Sequence, residues 1–455
     1  MDELSEISAF QIDNDTAIKY LEDVTHILAE YSWIYNVRNT DILIYKALDN
    51  IPSNWYAALS TLSDEDFYQL PFGFIKNDWP TSLTSFLLQC HQLGNFRFPP
   101  KNMQDFQKHA RKSNYMPMKV PLKKQFQIEV MASLINKVCQ NVNCNSILDI
   151  GSGLGYLDQI LHHCYNLRCI GLDSSVKYTI AAQDRIKKVR YICVNSMHHK
   201  TMKVTYSEKC IEDLKSLLKE DVKWNCPCDS KENISIDSIV MVGLHSCGNL
   251  TQDMMKLFCE MDEIVALVCV GCCYNKINID DFPMSKAAQY VLHDAHSKYA
   301  DWHPCTSGLR LAAHGIRTHG CLMENKNIIN IFYRAVIAYY AHKENIEWQQ
   351  PKRHIRSSDI TSFEIYCKKM FKNHSLSNNV IAIKEINDLY FQSEHLLPKV
   401  KILLVLQLLL QPLWEGFIIV DRLLYFREKS MSANVVSLWD SYVSCRNLAL
   451  YVCKR

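Results

Sequence analysis

Residues 147–155 read ILDIGSGLG, in which three glycines, Gly151, Gly153 and Gly155, occupy alternate positions after an apolar run that contains Asp149. The run SILDI (146–150) has the length and composition of a short buried strand. Glycine after such a strand permits positive φ in a sharp turn into a helix, and it lets a ligand approach the bare backbone. The stretch therefore predicts a strand, a ligand-binding turn and a helix.

The chain around this stretch alternates between strand and helix patterns. Further apolar runs at 168–173, 189–195, 237–245 and 264–272 predict strands, with amphipathic helices between them. Strands that alternate with helices through short connections predict an α/β fold, with a parallel sheet covered on both faces. Two more apolar runs, 433–439 and 447–454, predict a closing pair of strands that completes the same sheet.

The same patterns predict four regions. Residues 1–115 form an N-terminal helical lobe, and residues 116–282 form the α/β core with a surface insertion at 198–235. Residues 283–430 are mainly helical by pattern and too long for one crossover, so they are expected to form a large helical insertion before the last two strands. Residues 431–455 then return to the core as the final strand pair.

Composition excludes several classes of protein. Hydrophobic residues make up 48% of the 455 residues and charged residues 22%, which is typical of a globular protein. The formal net charge of +2 argues against a strongly basic field that would hold the protein non-specifically on nucleic acid, and nothing indicates DNA binding. The 19 cysteines lack framework spacing, so reduced thiols are expected.

Neither a targeting peptide nor a membrane span is expected. The first 24 residues carry seven acidic side chains against Lys19 alone, which predicts a cytoplasmic or nuclear protein. The most apolar stretch, 402–420, is interrupted by polar residues and by Pro412. It predicts a buried helix with a break near the proline rather than a helix in a membrane.

Two acidic residues distinguish between the cofactors that use such a turn. A dinucleotide turn needs a small residue where this chain has Tyr156, which argues against a nicotinamide cofactor. Asp149 lies inside an apolar strand, where a carboxylate needs a cationic partner such as the α-amino group of a methionine moiety. Asp173 ends the second strand, where a carboxylate can accept both ribose hydroxyls of an adenosine.

This set of residues resembles the S-adenosylmethionine site of class I methyltransferases, which have a Rossmann-like sheet. The resemblance implies that S-adenosylmethionine is the cofactor and that the residues around the first three strand ends bind it. These are Asp149, Gly151, Ser152, Gly153, Gly155, Asp173, Ser174 and Asn195.

The fourth strand lacks the Asn/Asp-Pro-Pro-aromatic motif of base-amine methyltransferases and continues as GLHSCGNLT (243–251). His245 is a candidate proton acceptor, because histidine titrates near neutral pH; an ordinary hydrogen-bonded histidine is the alternative. Cys247, Cys272 and Cys273 should share its edge of the sheet. Buried thiols, a metal site and a cysteine nucleophile compete as interpretations. Buried thiols are favoured and no metal site is predicted, because adjacent cysteines rarely both ligate one ion.

GLHSCGNLT and VGCCYN, together with EGFIIVDRLLYFRE (415–428) and VSLWDSYVSCRNLAL (436–450), resemble the methyltransferase-like protein 25 family. That family includes proteins named for a ribosomal RNA adenine dimethylase domain. The similarity spans nearly the full chain and implies a cofactor-dependent methyltransferase, without naming its substrate.

Lys123 and Lys124 precede the helix that leads into the first strand, and they are the candidate substrate contacts. A phosphate contact at these lysines would suit RNA. We therefore expect a methyltransferase that acts on RNA. A protein methyltransferase and a non-catalytic scaffold with the cofactor fold are the alternatives.

Overall fold

A seven-stranded sheet forms the centre of the fold in the computed structural model, which describes residues 12–94, 120–188, 197–221, 238–299, 302–313, 325–348, 362–371, 380–440 and 443–454. The strand order is β3-β2-β1-β4-β5-β7-β6. Strands β1 to β5 pair in parallel, and β7 runs antiparallel to β5 and β6. The strands are β1 Ser146–Ile150, β2 Arg168–Asp173, β3 Met197–Thr201, β4 Ile239–Ser246, β5 Ile264–Gly271, β6 Ala433–Ser437 and β7 Leu448–Cys453. The predicted α/β sheet and its closing strand pair are confirmed.

Helices connect the strands and cover the sheet, so most strand residues are buried and the strands read as continuous apolar runs. The described helices are α1 Asn14–Glu30, α2 Ser53–Ser60, α3 Asp64–Gln69, α4 Thr81–Gly94, α5 Leu122–Asn141, α6 Tyr156–Tyr165, α7 Val176–Lys188, α8 Glu208–Ser216, α9 Asn249–Glu260, α10 Lys286–Lys298, α11 Thr306–Ala312, α12 Asn325–Lys343, α13 Phe363–Met370, α14 Val380–Ser393 and α15 Leu397–Glu428.

The chain divides into two compact units. The first contains residues 1–21, 97–291 and 417–455 and includes the whole sheet; the second contains residues 22–96 and 292–416 and is helical where described. The sequence analysis treats the N-terminal lobe and the helical insertion as separate regions, whereas most of both belongs to the second unit. The end of α15 belongs to the first unit, where Asp421 accepts hydrogen bonds from the Met284 and Ser285 backbone amides at 2.9 and 2.8 Å.

The third strand differs from its predicted position. The predicted run 189–195 lies outside the described residues. The third strand of the sheet, β3, follows it at Met197–Thr201. The segment predicted as a surface insertion, 198–235, therefore begins inside the sheet. The sequence MHHKT of β3 has no apolar run, because this edge strand buries only Met197 and His199.

The proline in the apolar helix does not break it. Helix α15 runs through Pro412, which packs against Gly94: a Cβ built on that glycine would lie 3.3 Å from the Cβ of Pro412. The expected break near the proline is therefore wrong, because packing offsets the one lost backbone hydrogen bond. Residues 381–428 are apolar enough to cross a membrane by composition, but 94% of the most apolar window is buried inside the protein, as in a core helix.

Candidate active site

The glycine turn adopts the backbone conformation that its sequence predicts. Gly151, Gly153 and Gly155 have φ values of 78°, 58° and 68°, all in the left-handed region. The amides of Gly151 and Ser152 both donate to the Leu172 carbonyl oxygen, at 2.7 and 3.0 Å. The turn is therefore fastened to the neighbouring strand β2, and Gly155 starts helix α6.

The three glycines face different surroundings. Among the described residues, a Cβ built on Gly153 would meet only a backbone oxygen at 4.0 Å, and one on Gly151 only a Leu250 methyl at 3.7 Å. A Cβ on Gly155 would lie 2.5 Å from Nε2 of His199. The first two glycines thus border open space that can receive a ligand, whereas the third permits close packing inside the protein.

Asp149 is a buried carboxyl group with 3% of its surface exposed, next to Gly171 of β2 in the sheet register. Burial, followed by the nearby Asp158 carboxylate, raises the pKa of Asp149 well above its ordinary value. Within the described ranges no lysine or arginine forms an ion pair with it. An ammonium group bound at this position would supply the missing positive charge.

Asp173, at the end of β2, also holds the turn in place. One oxygen accepts the Gly153 amide at 3.0 Å, and the other accepts the Ser175 amide at 2.8 Å. Each carboxylate oxygen can accept more than one hydrogen bond, so the group can still bind a ribose. Ser174 is exposed beside it, and Asn195 lies outside the described residues.

Beneath the turn lies a pair that the sequence analysis missed. Nε2 of His199 lies 2.8 Å from Oδ2 of Asp158, and the two side chains are 1% and 0% exposed. His199 comes from β3 and Asp158 from α6, so no local motif marks the pair. The pair fills the space left by the absent side chains of Gly155 and Gly171.

On the other side of β1, the penultimate residue of β4 has a strained backbone. His245 has φ 67°, which is uncommon for a residue other than glycine, and the register between β4 and β5 shifts there. Its Nδ1 atom is buried without a hydrogen-bond partner in the described part of the chain. Burial, with smaller effects from Arg446, Lys124 and Lys123, lowers its pKa to about 4. The expectation that His245 titrates near neutral pH is therefore wrong, and the ring is neutral at pH 7.

The two candidate substrate lysines are exposed in the first turn of α5. Nζ of Lys124 lies 5.1 Å from the ring centre of Tyr156, over which Arg185 also packs at 4.1 Å. The positive charges of both lysines also lower the pKa of His245, so the lysines lie near the edge of the sheet where β4 ends. Tyr156, which the sequence analysis uses only to argue against a nicotinamide cofactor, anchors these cations beside the glycine turn.

The three cysteines of this edge converge. Their Sγ atoms all lie within 4.8 Å of one another, with Cys247 3.0 Å from Cys272 and Cys272 3.5 Å from Cys273. A hydrogen bond from the Cys272 thiol is the main cause that lowers the pKa of Cys247, to about 5, and the same bond raises the pKa of Cys272. Arg446 donates from Nε to the Cys272 carbonyl oxygen at 3.2 Å.

Comparisons with known proteins agree with this geometry. Residues 123–280 match the model of a family described as a methyltransferase domain. The human probable methyltransferase-like protein 25 is 22% identical over 73% of this chain and 74% of its own length, and the mouse protein is 24% identical over 48% and 38%. A solved coclaurine N-methyltransferase bound to N-methylheliamine and SAH covers 91% of this chain and 99% of its own, at 11% identity and a TM-score of 0.23, too low to define a shared fold.

The sheet order, the glycine turn and the matched domain define a Rossmann-like class I methyltransferase with S-adenosylmethionine as its cofactor. The space at Gly151 and Gly153 and the buried carboxyl of Asp149, which forms no ion pair with a described lysine or arginine, fit that cofactor. Within this class, the chain is similar to the probable methyltransferase-like protein 25 of human and mouse.

Proposed function

We propose that this protein methylates RNA at the edge of the sheet where β4 and β5 end. Three cations, Lys123, Lys124 and Arg446, act together on His245 at that edge, and this observation supports the proposal most strongly. Their positive field suits a phosphate backbone, which would position an RNA acceptor without specifying its sequence. A protein side chain is the second candidate acceptor.

The cofactor side of the site is assigned as follows. Asp149 would receive the amino group, the open backbone at Gly151, Ser152 and Gly153 would border the ligand, and Asp173 with Ser174 would bind the ribose. Bound S-adenosylmethionine supplies the electrophilic methyl group. The protein aligns the acceptor with that group, and proximity and orientation provide most of the acceleration.

His245 is proposed to hydrogen-bond to the methyl acceptor through its imidazole, which is neutral at pH 7 because its pKa is lowered to about 4. Nδ1 of His245 has no hydrogen-bond partner among the described residues, and the backbone of His245 has a positive φ near the end of β4. Asparagine tolerates positive φ, so His245→Asn removes the imidazole with little added strain. We expect methyl transfer to fall by about 100-fold with unchanged cofactor affinity.

The test of the whole proposal incubates the purified chain with tritiated S-adenosylmethionine and fractionated cell extract, and counts label in RNA, protein and small molecules. We expect label in RNA that disappears with Asp149→Ala. Label in protein would overturn the RNA acceptor, and label that persists in the variant would overturn the assigned cofactor site. Cofactor binding without label in any fraction would instead support the non-catalytic scaffold.

A further inference from the structure

The three-cysteine cluster (Cys247, Cys272 and Cys273) has no part in the proposed transfer, yet the order of the strands and a bend in the backbone bring its thiols together. Cys247 follows β4, whereas Cys272 and Cys273 follow the adjacent parallel strand β5. The backbone bends at Cys273, with φ −108° and ψ 69°, so that two consecutive side chains place their sulfur atoms 3.5 Å apart. Adjacent cysteines of an extended strand would point to opposite faces.

The two loops that carry the thiols are held against each other. Gly248 has φ 59°, and a Cβ there would lie 2.6 Å from the Lys276 carbonyl oxygen, so only glycine permits this approach. The Asn249 side chain accepts from the Asn278 amide and donates to Asp281, both at 2.7 Å. The cluster is therefore supported by contacts that do not involve sulfur, as expected of a preorganised site.

We propose that Cys247, Cys272 and Cys273 bind a Zn²⁺ ion through three thiolates and leave its fourth position open. A tetrahedral zinc with bonds of about 2.3 Å separates its sulfur ligands by about 3.8 Å. The observed Sγ–Sγ separations of 3.0 and 3.5 Å are both within about 1 Å of that value. Three thiolates and one Zn²⁺ carry a net charge of −1, which the nearby Arg446 and Lys276 can offset.

The open position distinguishes this site from a closed structural zinc. A structural site has four protein ligands, whereas a catalytic site keeps three and leaves the fourth for water or substrate. Among the described residues the cluster contains only these three metal-binding side chains. Cys247 lies two residues beyond His245, so the three-cysteine cluster lies at the edge of the sheet where β4 and β5 end. The inference concerns metal binding alone and holds whether the acceptor is RNA or protein.

A direct test uses the full chain without substitution. The protein is reduced, freed of metal, and treated with iodoacetamide with and without one equivalent of Zn²⁺, and alkylation is then mapped by mass spectrometry. We expect zinc to protect Cys247, Cys272 and Cys273, while the half-buried Cys164 is alkylated equally in both samples. Equal alkylation of the cluster with and without zinc would overturn the proposal.

Metal content provides a second, independent measurement. After loading with Zn²⁺ and desalting, the wild type and the control Cys164→Ser should retain one zinc, and Cys273→Ser should lose it. Cys273 is only half-buried, so this variant is expected to fold, which cofactor titration verifies. Substitution with Co²⁺ should give thiolate charge-transfer absorption that decreases in Cys273→Ser. The proposal would be contradicted if the wild type retained no zinc. It would also be contradicted if the protein carried a Cys247–Cys272 disulfide and did not bind zinc after reduction.

Discussion

The two halves of the sheet edge are built in different ways. On the cofactor half, consecutive residues form the ligand-binding turn, and Asp149 and Asp173 lie within 24 positions of each other. On the other half, which we propose receives the methyl acceptor and call the acceptor half, His245 and the three-cysteine cluster lie close together because β4 and β5 are neighbours in the sheet. Local backbone geometry therefore determines the first half, and contacts between loops determine the second. Substitutions on the two halves should separate cofactor binding from methyl transfer.

The largest effect should come from Gly155→Ala. The new methyl group would lie 2.5 Å from His199 at a positive φ, so both strain and steric overlap oppose the fold. We expect a loss of about 2–4 kcal/mol in the free energy of unfolding, measured by urea denaturation, together with loss of cofactor binding.

Gly153→Ala is the matched variant for this comparison. It has a similar φ, but its methyl group would point into open space, so only about 1 kcal/mol of backbone strain is expected. It should fold and still fail to bind cofactor, because the methyl group occupies the ligand space. Equal stability of the two variants would show that Gly155 is not packed against His199.

The second-largest effect is expected from Asp149→Asn. The substitution keeps the shape of the side chain and removes the charge that would meet the cofactor amino group, so we expect about 30-fold weaker binding by calorimetry. Unchanged affinity would remove Asp149 from the binding site.

The same carboxyl group should make binding depend on pH. Its raised pKa means that the neutral form persists to higher pH than for an ordinary aspartate, whereas a cationic ligand binds the ionised form. Wild-type affinity should therefore weaken as pH falls, and it should do so at a higher pH than an ordinary aspartate would cause. Asp149→Asn has no such group and serves as the control; an identical pH dependence in both proteins would assign it to the ligand instead.

The different construction of the two halves also explains what the sequence could predict. Strands β1 and β2 were placed correctly because buried parallel strands read as apolar runs bounded by turn residues. Strand β3 could not be placed, because MHHKT at the sheet edge contains two histidines and one lysine. His199 looks like a surface residue in the sequence, and only its contact with Asp158 shows that it supports the turn.

Similar limits apply to the acceptor half. The sequence indicated that His245 and the cysteines share an edge, but it could not give the bend at Cys273 or the close approach of Gly248 to Lys276. In an extended chain, adjacent cysteines point to opposite faces, which argues against their binding the same metal ion. The bend at Cys273 removes this objection, because it brings the sulfur atoms of Cys272 and Cys273 to 3.5 Å from each other. The lowered pKa of His245 likewise depends on burial and on Arg446, 201 positions away in the chain.

Gly248→Ala tests the acceptor half without changing a reactive group. Its methyl group would force the loops after β4 and β5 apart, so we expect methyl transfer to fall about tenfold while cofactor affinity stays unchanged. Gly73→Ala is the control for backbone strain, since Gly73 has φ 101° and a Cβ there would meet no described residue within 4 Å. Weakened cofactor binding in Gly248→Ala would show that the two halves are not separable.

The smallest effect should come from Lys123→Ala combined with Lys124→Ala. Both side chains are exposed, so their removal should leave folding and cofactor binding unchanged. If they contact phosphates, RNA affinity should fall about three- to tenfold at low salt, and the slope of log affinity against log salt should decrease by about 1.4 for two contacts to single-stranded RNA. Lys187→Ala with Lys188→Ala is the matched pair from the exposed end of α7. An equal loss of affinity in both pairs would indicate a diffuse charge effect, and an unchanged slope in the first pair would remove these lysines from the RNA path.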